Sequence, residues 1–160
     1  MRRRVYLETT VISYLTAPRP SRTVIVAAHQ EITVQWWQRR RQDFDLFVSE
    51  LVLREASAGD PEVAQRRLAA LTELPRLVLT EEALQLGSEF VRTRILPGKA
   101  TEDGMHIALA TVHRVDYLLT WNCAHIANPD IQERLAEFLA DRGLVLPYIC
   151  TPEELLGGDA

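Results

Sequence analysis

The stretch Val5-Tyr6-Leu7-Glu8 decides the fold, because three apolar residues run directly into a carboxylate. An apolar run this short reads as a strand. Similar runs return at Leu46 to Val48, Leu77 to Leu79, Tyr117 to Leu119 and Leu144 to Ile149. Longer segments with helix punctuation separate them. Asp60-Pro61 and Asn128-Pro129 each pair an N-cap with a first-turn proline, Gly143 stops the helix that ends Ala140-Asp141-Arg142, and Thr151-Pro152-Glu153-Glu154 is a capping box. Parallel neighbours require crossovers, so alternating strands and helices predict an α/β fold. The expected architecture is a three-layer α/β/α sandwich around a mostly parallel, five-stranded sheet.

The 160 residues match one domain, and no repeat, linker or composition shift divides the span 1–160. With 47% hydrophobic and 25% charged residues, the chain is neither disordered nor of low complexity. A net charge of -4 excludes a nucleic-acid binder that adheres through a general positive field. Any such partner must be held locally. No apolar run approaches the ~20 residues of a membrane span. The basic start Met1 to Arg4 meets Glu8 after three apolar residues, which is not a signal peptide. Cys123 and Cys150 form no C-x-x-C pattern, hence neither a disulfide framework nor a zinc knuckle, and a reducing cytoplasm is expected.

Ser21 to Arg41 predicts a long helix with Ile25, Ala28, Ile32 and Trp36 on its apolar stripe. Its end, Trp36-Trp37-Gln38-Arg39-Arg40-Arg41, reads as one core tryptophan beside a solvated arginine run rather than a nucleic-acid clamp. Arg2, Arg3 and Arg4 enter the first strand and fall at the sheet's N-terminal edge, opposite to where open α/β sheets bind ligands.

Dinucleotide, P-loop and nucleophile-elbow motifs are absent, which leaves the carboxylates. Glu8 follows the first strand at the ligand-binding edge. The segment Ala100 to His113 is a helix apolar enough to be buried, with Asp103 in its first turn; feeding the strand Tyr117 to Leu119, it brings Asp103 beside Glu8. Ser49 is an N-cap, and the helix after it carries Glu50 and Glu55. These point roughly 140° apart, so one of the two is ordinary surface. Thr120 and Asn122 close the fourth strand. Oxygen ligands from four chain segments suit a hard cation such as Mg²⁺ or Mn²⁺. Zinc on His106 and His113, or on Cys123 and His125, is the rival, but the spacings match no paired pattern and a histidine on an apolar helix reads as core.

Four pieces carry a family resemblance: Val5-Tyr6-Leu7-Glu8-Thr9-Thr10-Val11-Ile12, Val48-Ser49-Glu50-Leu51-Val52-Leu53-Arg54-Glu55, Asp103-Gly104-Met105-His106-Ile107-Ala108-Leu109-Ala110 and Tyr117-Leu118-Leu119-Thr120-Trp121-Asn122. In this order, each at a strand edge, they resemble the PIN-domain family of metal-dependent ribonucleases, and most of all the VapC-type toxins of toxin–antitoxin pairs. The resemblance implies an endoribonuclease in which Glu8, Glu55 and Asp103 hold Mg²⁺ or Mn²⁺, with Asn122 as the last polar catalytic position and Thr9 and Thr120 as substrate-side hydroxyls. It selects Glu55 over Glu50. It further implies an RNA substrate, a homodimer and a small antitoxin that inserts a segment into the acidic groove. Two departures stand out: Glu8 where the family usually has Asp, and Asn122 where many relatives have Asp, so that three charges replace four. These departures motivate a second reading, a PIN-fold RNA- or protein-binding module whose nuclease activity is weakened or lost. A third is a flavodoxin-like small-ligand domain.

Overall fold

In the computed structural model, residues 1–157 are described, and the last three positions of the expected 1–160 span lie outside them. The elements follow in chain order: β1 (Arg3–Leu7), α1 (Thr9–Leu15), α2 (Val24–Arg40), β2 (Phe44–Ser49), α3 (Glu50–Ala56), α4 (Pro61–Leu71), β3 (Arg76–Leu77), α5 (Glu81–Arg92), α6 (Thr101–Val112), β4 (Tyr117–Leu119), α7 (Pro129–Ala140), β5 (Tyr148–Cys150) and α8 (Pro152–Leu155). All strand pairs are parallel, in the order β3-β2-β1-β4-β5.

The expected α/β architecture is present. From β1 the chain builds outward through β2 to β3, then returns past β1 to add β4 and β5. Right-handed crossovers in opposite directions put helices on opposite faces. In keeping with this, α1 packs with α2, α3 and α4, whereas α5 packs with α6. Both faces of β1 are therefore covered. Val5, Tyr6 and Leu7 are fully buried, which explains why the strand reads as a continuous apolar run rather than an alternating one. Each such side chain withdrawn from water stabilises the fold by roughly 1.5–3 kcal/mol.

The predicted caps form. Asp60 accepts from the Glu62 and Val63 amides, Asn128 from those of Asp130 and Ile131, and Thr151 closes a capping box with Glu154. Gly143 adopts φ +69° three residues past α7, a conformation that only glycine takes without strain. At the sheet's N-terminal edge, the Arg4 amide and the Arg3 guanidinium both donate to Asp116, at 2.7 and 3.3 Å. The arginines of β1 thus sit where the sequence placed them.

Three expectations need correction. The last strand begins at Tyr148, not Leu144, because Pro147 offers no amide to a ladder. Strand β3 spans Arg76–Leu77 rather than Leu77 to Leu79. Helix α2 begins at Val24, and its supposed apolar stripe fails at the N-terminal half, where Ile25 is 71% exposed and Ala28 is also exposed. Burial starts at Thr33 and Trp36, where α2 reaches the sheet. Of the tryptophan pair, Trp36 is core, and Trp37 lies half-buried under the Arg41 guanidinium, 4.0 Å from its ring centre.

Candidate active site

Strand order reverses between β1 and β4, and the crevice beyond the carboxyl ends of such strands is where open α/β sheets bind ligands. Glu8 follows β1 there and Thr120 follows β4. The Glu8 amide continues the ladder to the Leu119 carbonyl at 3.0 Å, and the Thr120 amide does the same to Cys150. Glu8 is 4% exposed. Two hydroxyls hold it, Thr10 at 2.5 Å and Thr120 at 2.7 Å, both donating to Oε1.

Glu55 reaches the same place from the last turn of α3. Its Oε1 also receives two bonds, from the Thr9 hydroxyl and from His106 Nε2, each 2.6 Å long. Burial by itself raises the Glu55 carboxyl, but the His106 hydrogen bond and charge, with the Thr9 hydroxyl, outweigh it and hold the group at about 2. Glu50 points elsewhere and pairs with Arg76 at 3.3 Å on the surface.

His106 is fully buried. Its Nδ1 lies 2.7 Å from the Tyr6 hydroxyl, which in turn lies 2.8 Å from Ser49 Oγ. Ser49 also caps α3 by accepting from the Val52 amide. Burial lowers the imidazole pKa, yet the bond to Glu55 and the charges of Glu8, Glu55 and Asp103 reverse the direction and raise it. Burial pushes the Tyr6 hydroxyl far above its ordinary value, opposed by the Ser49 bond and reinforced by Glu8 and Glu55. Exposed Glu102 is raised as well, first through a hydrogen bond with Glu55.

Asp103 sits in the first turn of α6, positioned by close packing against α5. A β-carbon at Gly104 would lie 3.2 Å from both the Gly87 carbonyl and Leu96 Cδ1. The Asp103 Oδ2 accepts from His125 Nδ1 at 3.0 Å. Asn122 Oδ1 accepts from the His125 amide at 3.0 Å, and its own amide donates to Thr120 Oγ1. Asn122 therefore shapes the turn that presents His125.

Among the described residues, the side chains whose ligand atoms fall within 4.8 Å of one another are Glu8, Glu55 and His106. Asp103 is not within that group. The zinc alternatives do not gather: His113 Nε2 bonds the Val78 carbonyl and His125 faces Asp103. Thr9 and Thr120 both fasten carboxylates.

Sequence reading missed Tyr6 and Glu102, took Ser49 only as a cap, and weighed His106 and His125 only as zinc ligands or core, not as partners of the carboxylates. Two of these carried a signal. Tyr6 lies two residues before Glu8 on a strand and so shares its face, and His106 lies three after Asp103 on a helix and so shares its side.

No family model matches the chain, and no curated protein matches it. Among solved structures, it is similar to a chain in the crystal structure of VapBC2 from Rickettsia felis bound to a DNA fragment from their promoter, with a TM-score of 0.58. The fold is PIN-like. The match covers 92% of this chain and 98% of the other at 14% identity, a likeness of fold that spans the sheet and its helical layers.

Proposed function

We propose that the protein is a divalent-metal-dependent endoribonuclease, with Glu8, Glu55 and Asp103 holding Mg²⁺ or Mn²⁺, and that it serves as the toxin of a toxin–antitoxin pair. The observation that carries this reading is Glu8. It is a carboxylate 4% exposed, held by two hydroxyls, and no cationic side chain pairs with it among the described residues. A buried charge is costly unless it is paired or coordinates a metal, and oxygen-rich donors suit hard cations.

The chain's own groups prepare the site. Thr10 and Thr120 fix Glu8, Thr9 and His106 fix Glu55, and His125 holds Asp103 by one oxygen. With both bonds on Oε1, Glu8 keeps Oε2 for an outside partner, whereas Glu55 also bonds Glu102. The chemistry a divalent ion supplies there is Lewis acidity toward phosphate and an acidified water. Thr9 and Asn122 border the approach of the RNA, whereas Thr120, expected as a substrate-side hydroxyl, is fully buried and serves Glu8 instead. The likeness to a chain of the VapBC2 structure supports an antitoxin partner; a homodimer, a cytoplasmic location and one domain over 1–160 belong to the same reading.

The test is cleavage of structured and single-stranded RNA with Mg²⁺ or Mn²⁺ and with chelator. Metal-dependent cleavage that Asp103→Ala abolishes is expected, and cleavage retained by a purified Asp103→Ala chain removes the site assignment. One observation favours the binding-module alternative: Asn122 Oδ1, at the position where many relatives have a carboxylate, accepts from the His125 amide. Calorimetry that shows no divalent-ion binding at millimolar concentration decides for that alternative.

A further inference from the structure

Three polar side chains in the core are not accounted for by packing. Tyr6 and Ser49 are fully buried, as is His106, and each costs stability unless every polar atom finds a partner. Phenylalanine at position 6 and leucine at position 106 would fill such space without that demand. The polar atoms form one connected line that ends on Glu55.

The line is bonded in either charge state of His106. With a neutral ring, Ser49 Oγ accepts from the Val52 amide and donates to the Tyr6 oxygen, and Tyr6 donates to Nδ1. With a charged ring, Nδ1 donates to Tyr6 and Tyr6 to Ser49; in both, Nε2 donates to Glu55 Oε1. The last step is fixed by chemistry, since a carboxylate only accepts. Nitrogen Nε2 therefore carries a hydrogen and has no lone pair for a cation, while Nδ1 faces Tyr6. Although its ring lies within ligand distance of Glu8 and Glu55, both nitrogens are committed.

We infer that His106, itself held by Tyr6 and Ser49, is a positioning residue that sets the orientation of Glu55 toward a divalent cation and is not a ligand of it. The inference rests on the reading of Glu55 as a metal carboxylate. With Thr9 and His106 both on Oε1, the carboxylate cannot rotate freely, and Glu102 is its remaining hydrogen-bond partner. Groups that hydrogen-bond a ligating carboxylate typically change metal affinity about 10–100-fold when removed.

The experiment is Mn²⁺ binding to the full chain by electron paramagnetic resonance, for the wild type, Tyr6→Phe, His106→Leu and His106→Gln, each checked for folding by circular dichroism. His106→Leu is expected to bind about 10–100-fold more weakly. Tyr6→Phe, which removes one oxygen, weakens binding by a smaller factor. His106→Gln keeps an N–H that can reach Glu55 and recovers most of the affinity. Pulsed resonance on wild-type Mn²⁺ shows no directly coordinated imidazole nitrogen. A coordinated nitrogen overturns the inference, as does a His106→Gln chain no better than His106→Leu. If His106→Leu fails to fold, unchanged affinity in Tyr6→Phe overturns it. Wild-type binding with every variant unaffected removes this inference alone, whereas a wild type that binds no Mn²⁺ removes the metal reading of the site and this inference with it.

Discussion

The Thr120 hydroxyl donates to Glu8 Oε1 at 2.7 Å across 112 positions of sequence, and so ties together the ends of β1 and β4, the two strands where the sheet order reverses. The same oxygen accepts from the Asn122 amide. One threonine thus fixes a buried carboxylate and the turn that follows β4. Hydrogen bonds to charged groups contribute about 1.5–3 kcal/mol. Thr120→Val keeps the shape and removes both bonds, and a stability loss of about that size is expected in urea denaturation.

Glu8→Gln keeps an acceptor for Thr10 and Thr120 but removes the charge. A ligand that binds only the folded state adds about 2.7 kcal/mol at one hundred times its dissociation constant. Thermal scans with and without Mn²⁺ should therefore show a metal-dependent rise in Tm for the wild type and little or none for Glu8→Gln. Equal shifts in both would separate metal binding from Glu8.

The close approach of α5 and α6 places Asp103. Gly104→Val would drive its side chain against the Gly87 carbonyl and Leu96 Cδ1, each already 3.2 Å from where a β-carbon would sit. Overpacking typically costs about 1–3 kcal/mol. A loss of unfolding free energy of that order in urea denaturation is expected, together with weaker Mn²⁺ binding as Asp103 moves.

Cys150 is buried at the end of β5, and burial, with the Glu154 charge nearby, pushes its thiol up to about 12. Since the thiolate is the reactive form, Cys150 should resist iodoacetamide near pH 8 in the folded chain and label once it is unfolded, whereas exposed Cys123 labels first; mass spectrometry reads both. The sign of the pH effect follows from the raised value. The folded state holds the Cys150 proton more tightly than the unfolded state, so its contribution to stability is present below the unfolded thiol pKa near 9 and is lost as pH rises toward 12.

What the sequence determined by itself is local and periodic. Short apolar runs between capped helices settle the α/β class, because strand and helix periods, N-caps and first-turn prolines are properties of neighbouring residues. Glu8 at the end of a strand and Asp103 in the first turn of a helix were legible for the same reason: in a parallel sheet both positions fall at one edge. The failure along α2 was also local in kind. Ile25 and Ala28 carry the right period, but both are exposed among the described residues, and burial along α2 starts only at Thr33.

Only the tertiary structure decided which polar atoms meet. Tyr6, Ser49, His106, Glu55 and Thr9 come from β1, β2, α6, α3 and α1, and their line of hydrogen bonds depends on the register of β1 against β2 and on how closely α6 lies over both. A histidine on an apolar helix reads as core from sequence, and His106 is core by burial. Its role depends on what each nitrogen faces, which is a matter of direction in space that no spacing along the chain encodes.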